Sequence, residues 1–202
     1  MLSLTLASDP TAGIPMLDFE MQATGLVAPV VKWGVTARSQ PMRGTYHFYT
    51  ADYKFRALAK SPAKLLITRC VVAVEPNFST QPGDDLSRVL EAIHRKRSMA
   101  RYWQSQGVRI VVDLNVEPEF RHYNLIGVPP GWGAYAVRTQ HGIGWDVIEA
   151  DHELAAKRCG GVPPLFAVFG GGKSARAYCV SRGWVHVPEH RHVIEGREVA
   201  YG

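Results

Sequence analysis

Cysteine is scarce in this chain: three in 202 residues, Cys70, Cys159 and Cys179, far apart and with no CxxC pair. That spacing offers no disulfide framework and no cysteine-based zinc site, so reduced, structural thiols are expected. No apolar run approaches the roughly 18 residues of a membrane-spanning helix. The first residues, up to Asp9 and Pro10, lack the basic start of a secretory signal, and a cytoplasmic protein with no membrane partner is expected. There is no internal repeat and no low-complexity linker. HExxH is missing around His186, His190 and His192, whose spacings do not suit a metal ion. The Walker pattern fails at Gly170–Ser174, because the position five before Gly172 is Ala167, and a P-loop NTPase is excluded.

What is present is ordinary globular composition, 46% hydrophobic, 20% charged and 10% aromatic, at a length that suits one domain of about 150 residues with small appendages. Lys and Arg outnumber Asp and Glu 23 to 18, a net charge of +5, which leans toward polyanionic partners without identifying one. From about residue 28 to 188, β-branched apolar runs alternate with helical patterns, the signature of a mostly parallel α/β sheet. Strands are expected at 30–33, 45–49, 70–74, 108–112, 134–137, 164–169 and 183–187, and helices at 51–60, 84–106, 145–158 and 174–182. Either a small βα barrel or an open doubly wound sheet would satisfy this order. The organisation expected is an N-terminal extension over 1–28, one α/β domain over 29–190 and a C-terminal tail over 191–202.

In the long helix, Leu86, Val89, Leu90, Ile93, Ala100 and Trp103 form an apolar stripe. Spacings of three and four from Ile93 land on Lys96 and Arg97. Either these cations bury their stems and send their heads to water, or one pairs with a strand-end carboxylate. Arg88, Arg95 and Arg101 flank them, so the helix has a basic ridge that could contact nucleic acid, the set then being Arg88, Arg95, Lys96, Arg97 and Arg101.

Ligands of parallel α/β folds bind at the carboxyl ends of strands. There the sequence turns from apolar to Glu75-Pro76-Asn77, to Asp113-Leu114-Asn115 and to Arg138. If the strands before Glu75 and Asp113 are neighbours, their spacing of about 4.8 Å brings the carboxylates within reach of each other. They would then hold a divalent cation, Mg²⁺ or Mn²⁺, or divide into acid and base; helix capping and loop hydrogen bonds are the structural alternative. Asn77 and Asn115, two residues on, would orient substrate. Lys32, inside an apolar strand, needs a partner or a substrate. His47 shares a strand face with Tyr49, opposite Tyr46 and Phe48, and is a candidate acid/base. Gly171, Gly172 and Lys173, between a strand and a helix, would either offer backbone donors to an anion or form a tight ligand-free turn.

The combination Lys32-Trp33-Gly34, Tyr46-His47-Phe48-Tyr49, Val74–Thr80, Val112–Val116 and Phe169–Lys173 resembles a domain of unknown function carried by phages, plasmids and bacterial chromosomes. The resemblance implies a mobile-element setting and a role in handling DNA or nucleotides, and transfers no catalytic residue. The expected function is phosphodiester or glycosidic bond chemistry, hydrolase-like, with Glu75, Asp113, Lys32 and His47 as catalytic candidates and Asn77, Asn115, Arg138, Gly171, Gly172 and Lys173 binding substrate. The rivals are a non-catalytic DNA-binding module using the basic helix, and an adaptor or inhibitor that binds a host protein.

Overall fold

The computed structural model describes residues 8–10, 12–34, 43–139 and 144–189. His190, His192 and the expected tail lie outside the described residues. Seven short strands, rich in the branched and aromatic residues that fill a pleated surface, form one sheet: β1 (Val30–Lys32), β2 (Thr45–His47), β3 (Val72–Val74), β4 (Arg109–Asp113), β5 (Ala134–Arg138), β6 (Leu165–Phe169) and β7 (Val185–Val187). All six pairings are parallel, and spatial order follows chain order. With no reversal of direction there is no switch point, so the doubly wound alternative does not apply.

Alternation along the strands explains why the sheet curls. One face gathers Val30, Val72, Val74, Val111, Ala134, Ala136, Ala167, Phe169, Val185 and Val187 into a single cluster. In a flat sheet β1 and β7 would lie about 29 Å apart, six spacings of about 4.8 Å, and could not share it. Three alanines on the inner faces of β5 and β6 leave room for this tight curvature, while their neighbours Tyr135, Val137, Phe166 and Val168 face outward. The result is a nearly closed barrel with a packed interior.

Around it lie α1 (Arg56–Lys60), α2 (Leu86–Ser105), α3 (Trp145–Cys159) and α4 (Gly172–Arg182). The first expected helix is divided: Asp52–Lys54 is a 3₁₀ turn, and α1 stops at Ser61 because the residue before Pro62 is pushed out of helical geometry. A further 3₁₀ helix, Pro62–Thr68, follows without having been expected. Outside the barrel, Phe48 stacks on Trp103 at 5.5 Å, and the Trp103 indole N–H donates to Pro62 O at 2.9 Å, fixing α2 against β2.

The segment before β1 underlies the barrel. Gln22 forms a parallel bridge with Ile110, Ala23 N–H donates to Ile110 O at 2.9 Å, and Gln22 Oε1 accepts from Gly133 N–H at 2.9 Å. Ala23 joins the interior cluster. Higher up, Leu17 N–H donates to Gly127 O at 2.8 Å. Gly127 has φ +78°, and a β-carbon there would lie 2.4 Å from Pro15 O, so only glycine permits this approach.

Candidate functional site at the barrel mouth

The neighbouring exits of β3 and β4 bring Glu75 and Asp113 together as their spacing requires, and both side chains are fully buried. Asp113 N–H donates to Glu75 Oε2 at 3.2 Å. Alternation sends the two carboxylates to different sides. Glu75 meets α2, where Arg97 forms a buried ion pair with Oε2 and also donates to Asn124 O and, at 3.0 Å, to Ile126 O. Asp113 faces the barrel: Oδ1 accepts from the Tyr49 hydroxyl at 3.0 Å and from Asn115 N–H at 3.2 Å, and Oδ2 pairs with Lys96 Nζ at 3.3 Å. Lys96 also donates to Asp113 O at 2.9 Å, and the Asn124 amide donates there at 3.1 Å.

Both cations that interrupt the α2 stripe are therefore buried partners of strand-end acids, and the carboxylate-pairing alternative is the one realised. Burial pushes the Asp113 carboxyl up and the Lys96 ammonium down, each opposed by the other's charge. Burial, with the Asp113 charge second, raises the Tyr49 hydroxyl well above its usual range, so Tyr49 stays a neutral donor.

This arrangement bears on the Mg²⁺ or Mn²⁺ expectation. Three of the four carboxylate oxygens are engaged, and an ammonium and a guanidinium already neutralise the pair. Among the described residues no group of three or more His, Cys, Asp and Glu converges on one point. These residues do not fit a divalent ion, which needs several uncommitted oxygens.

Above Asp113 the barrel opens into a hollow of about 90 Å³ lined by Lys32, His47, Tyr49, Arg138, Phe169, Gly170, Pro188 and Glu189. His47 packs its ring on Phe169 at 4.7 Å and on Tyr49 at 5.6 Å. The Lys32 and Arg138 side chains have no hydrogen bond or ion pair among the described residues. Among the described residues that line it, Glu189, exposed at the rim, is the one acid set against them, so this lining carries an excess of positive charge.

Arg138 also borders a larger outer cleft of about 320 Å³, which contains Asn77 and Asn115 with Ser79, Thr80, Glu117, Val137, Val147, Ile148 and Asp151. Asn115 Oδ1 accepts from Arg138 N–H at 2.8 Å, tying the β4 exit to β5.

Other candidates fall elsewhere. Gly170 lines the mouth, whereas Gly171, Gly172 and Lys173 do not. Gly171, at φ +78°, would place a β-carbon 2.6 Å from that of Ala175, and Ser174 Oγ donates to Gly171 O, so the turn is closed on itself. The α2 ridge is altered: Lys96 and Arg97 are buried, Arg88 pairs with Asp84 just before the helix and Arg95 with Glu91 within it, and Arg101 lies 3.9 Å from Asp18. Sequence reasoning passed over Phe169 and Glu189 as mouth residues, and Glu117 in the cleft. Glu117 continues the period-2 series Asp113, Asn115, and that spacing was the available signal.

Comparison with known proteins adds a setting. A family model described as "Domain of unknown function (DUF4417)" matches residues 6–150. Over 91 residues, 44% of this chain, the sequence is 31% identical to the Gene 1 protein of Mycobacterium phage L5 and 29% identical to the Gene 1 protein of Mycobacterium phage D29. The match spans 40% and 34% of the lengths of those relatives. No solved structure matches the chain.

Proposed function

For a chain that belongs to this family of a domain of unknown function, with relatives in mycobacteriophages, we propose that it binds and acts on a phosphate ester of nucleotide or nucleic-acid type at the barrel mouth. The observation that carries the reading is the pair Lys32 and Arg138, cations on β1 and β5 that face one small hollow and outnumber its acid, the rim Glu189, among the described residues. A half-buried cation is costly unless an anion completes it. The hollow of about 90 Å³ has the room of about three waters at about 30 Å³ each, which suits a phosphoryl group and not a whole nucleotide.

In this reading Lys32 and Arg138 neutralise the phosphate, and His47 is the group positioned to move a proton to or from a reacting oxygen. Tyr49, anchored on Asp113, is a positioning residue that also keeps water from the carboxylate. Asp113 and Glu75 then act through Tyr49, Lys96 and Arg97 instead of meeting substrate. Hydrolysis of a phosphodiester or glycosidic bond, with water as nucleophile, is the chemistry this set suits.

The test is calorimetric titration with inorganic phosphate and a 5′-phosphorylated dinucleotide, alongside hydrolysis of the dinucleotide between pH 5 and 8. Lys32→Ala and Arg138→Ala should each weaken binding about tenfold, the order expected for a charge-assisted hydrogen bond. His47→Gln should keep binding and lose turnover. A wild-type protein that binds neither probe, or cation variants that bind as wild type does, overturns the proposal.

A further inference from the structure

We propose that the outer cleft is the nucleoside subsite of the same ligand, whose phosphate occupies the mouth; this rests on the reading above and names its substrate as a base–sugar–phosphate unit. The two hollows share one wall, Arg138, whose backbone is held by Asn115. A ligand with its anionic group on the mouth side of that guanidinium extends its remainder into the cleft.

The cleft suits an uncharged heterocycle and sugar and disfavours a second phosphate. Its floor is apolar, the partly exposed Val147 of α3 over the buried Val137 of β5 and Ile148, a small surface against which a flat ring can rest. Its walls carry the Asn77 carboxamide and the Glu117 carboxylate, and neither side chain has a hydrogen bond or ion pair among the described residues. An amide that both donates and accepts, beside a carboxylate that accepts, complements the edge of a nucleobase bearing N–H donors. Two acids, Glu117 and the Arg121-paired Asp151, repel a further anion there. Burial, with Glu119 and Asp84 nearby, also raises the Glu117 carboxyl, so its charge is already opposed. The volume of about 320 Å³ lies at the lower end of the roughly 300–1,000 Å³ of small-molecule pockets, enough for one nucleoside.

A free nucleotide and the terminal nucleotide of a strand present the same chemistry, and the assay separates them. The whole chain is titrated with inorganic phosphate, ribose 5-phosphate, the ribo- and deoxyribonucleoside 5′-monophosphates and a 5′-phosphorylated tetranucleotide. At least one nucleoside monophosphate should bind ten times more tightly than ribose 5-phosphate. Asn77→Ala and Glu117→Gln, partly exposed side chains whose loss leaves the core intact, should erase that ratio without changing ribose 5-phosphate affinity. Tighter binding of the tetranucleotide identifies a strand end as the source, and weaker binding a free nucleotide. If nucleotides bind no better than ribose 5-phosphate, or the cleft variants keep the tenfold ratio, the cleft proposal fails while the mouth reading stands. If no phosphate probe binds at all, the mouth reading fails and takes the cleft with it.

Discussion

Replacing Arg97 by methionine tests the buried charge arrangement most directly. Arg97 is fully buried and satisfies three acceptors: Glu75 Oε2, Asn124 O and Ile126 O. Methionine fills similar space but can donate to none of them. Stranding a buried carboxylate costs about 3–5 kcal/mol, and each orphaned carbonyl adds up to about 1–3 kcal/mol, less whatever relaxation recovers. Against a typical total stability of about 5–15 kcal/mol, the variant should lie near the edge of unfolding. Glu75→Gln in the same background removes the stranded charge, so the double variant should be more stable than Arg97→Met alone by about 2–4 kcal/mol. The assay is urea unfolding of wild type, both single variants and the double, followed by tryptophan fluorescence. A loss below about 1 kcal/mol for Arg97→Met, or a double variant as unstable as the sum of the singles, would refute the argument.

Two other perturbations follow from the packing. Burial pushes the Asp151 carboxyl up to about 6, with Arg121 pulling the other way, above the unfolded value of about 3.9. The folded state therefore holds this proton more tightly. Its contribution to stability is complete below about pH 4 and is lost as pH rises through about 6, a swing of about 2–3 kcal/mol. Asp151→Asn should remove that slope from unfolding free energies measured between pH 3.5 and 7.5; an unchanged slope would assign it to another group. Gly127→Ala must place a β-carbon at φ +78° against Pro15 O, which costs at least about 1–2 kcal/mol and should lower Tm by roughly 2–8 °C. An unchanged Tm in a thermal melt would mean that the N-terminal segment does not rest on Gly127 as described.

The central strands β3 to β6 were legible because each is a short, mostly apolar run buried on both faces, and all seven strands lie within a few residues of their expected positions. That Glu75 and Asp113 leave neighbouring strands was legible too, but not that the register offsets them by one residue and so sends their carboxylates to different sides. Whether Lys96 and Arg97 reach water or an acid was not, because helical spacing fixes a direction and not what waits there. Closure of the sheet leaves a fainter trace in the small inner residues Ala134, Ala136 and Ala167. Without closure, Lys32 of β1 and Glu189 beyond β7 have no reason to share a hollow. The neutralising acids of the α2 ridge, Asp84 and Glu91, stand four residues before Arg88 and Arg95 and were readable as i,i+4 pairs. The segment before β1 was opaque because its hold on the barrel runs through backbone and amide contacts with residues about 90 to 110 positions away.

The two acids and two bases sealed between β3, β4 and α2 behave as a catch without slack. Prising the helix away by a small amount would lengthen every attraction while admitting too little solvent to hydrate the separated charges, so halfway positions are the least favourable of all. The helix is then either fully seated or fully released. The floor beneath the mouth, where Tyr49 rests on Asp113, inherits that rigidity.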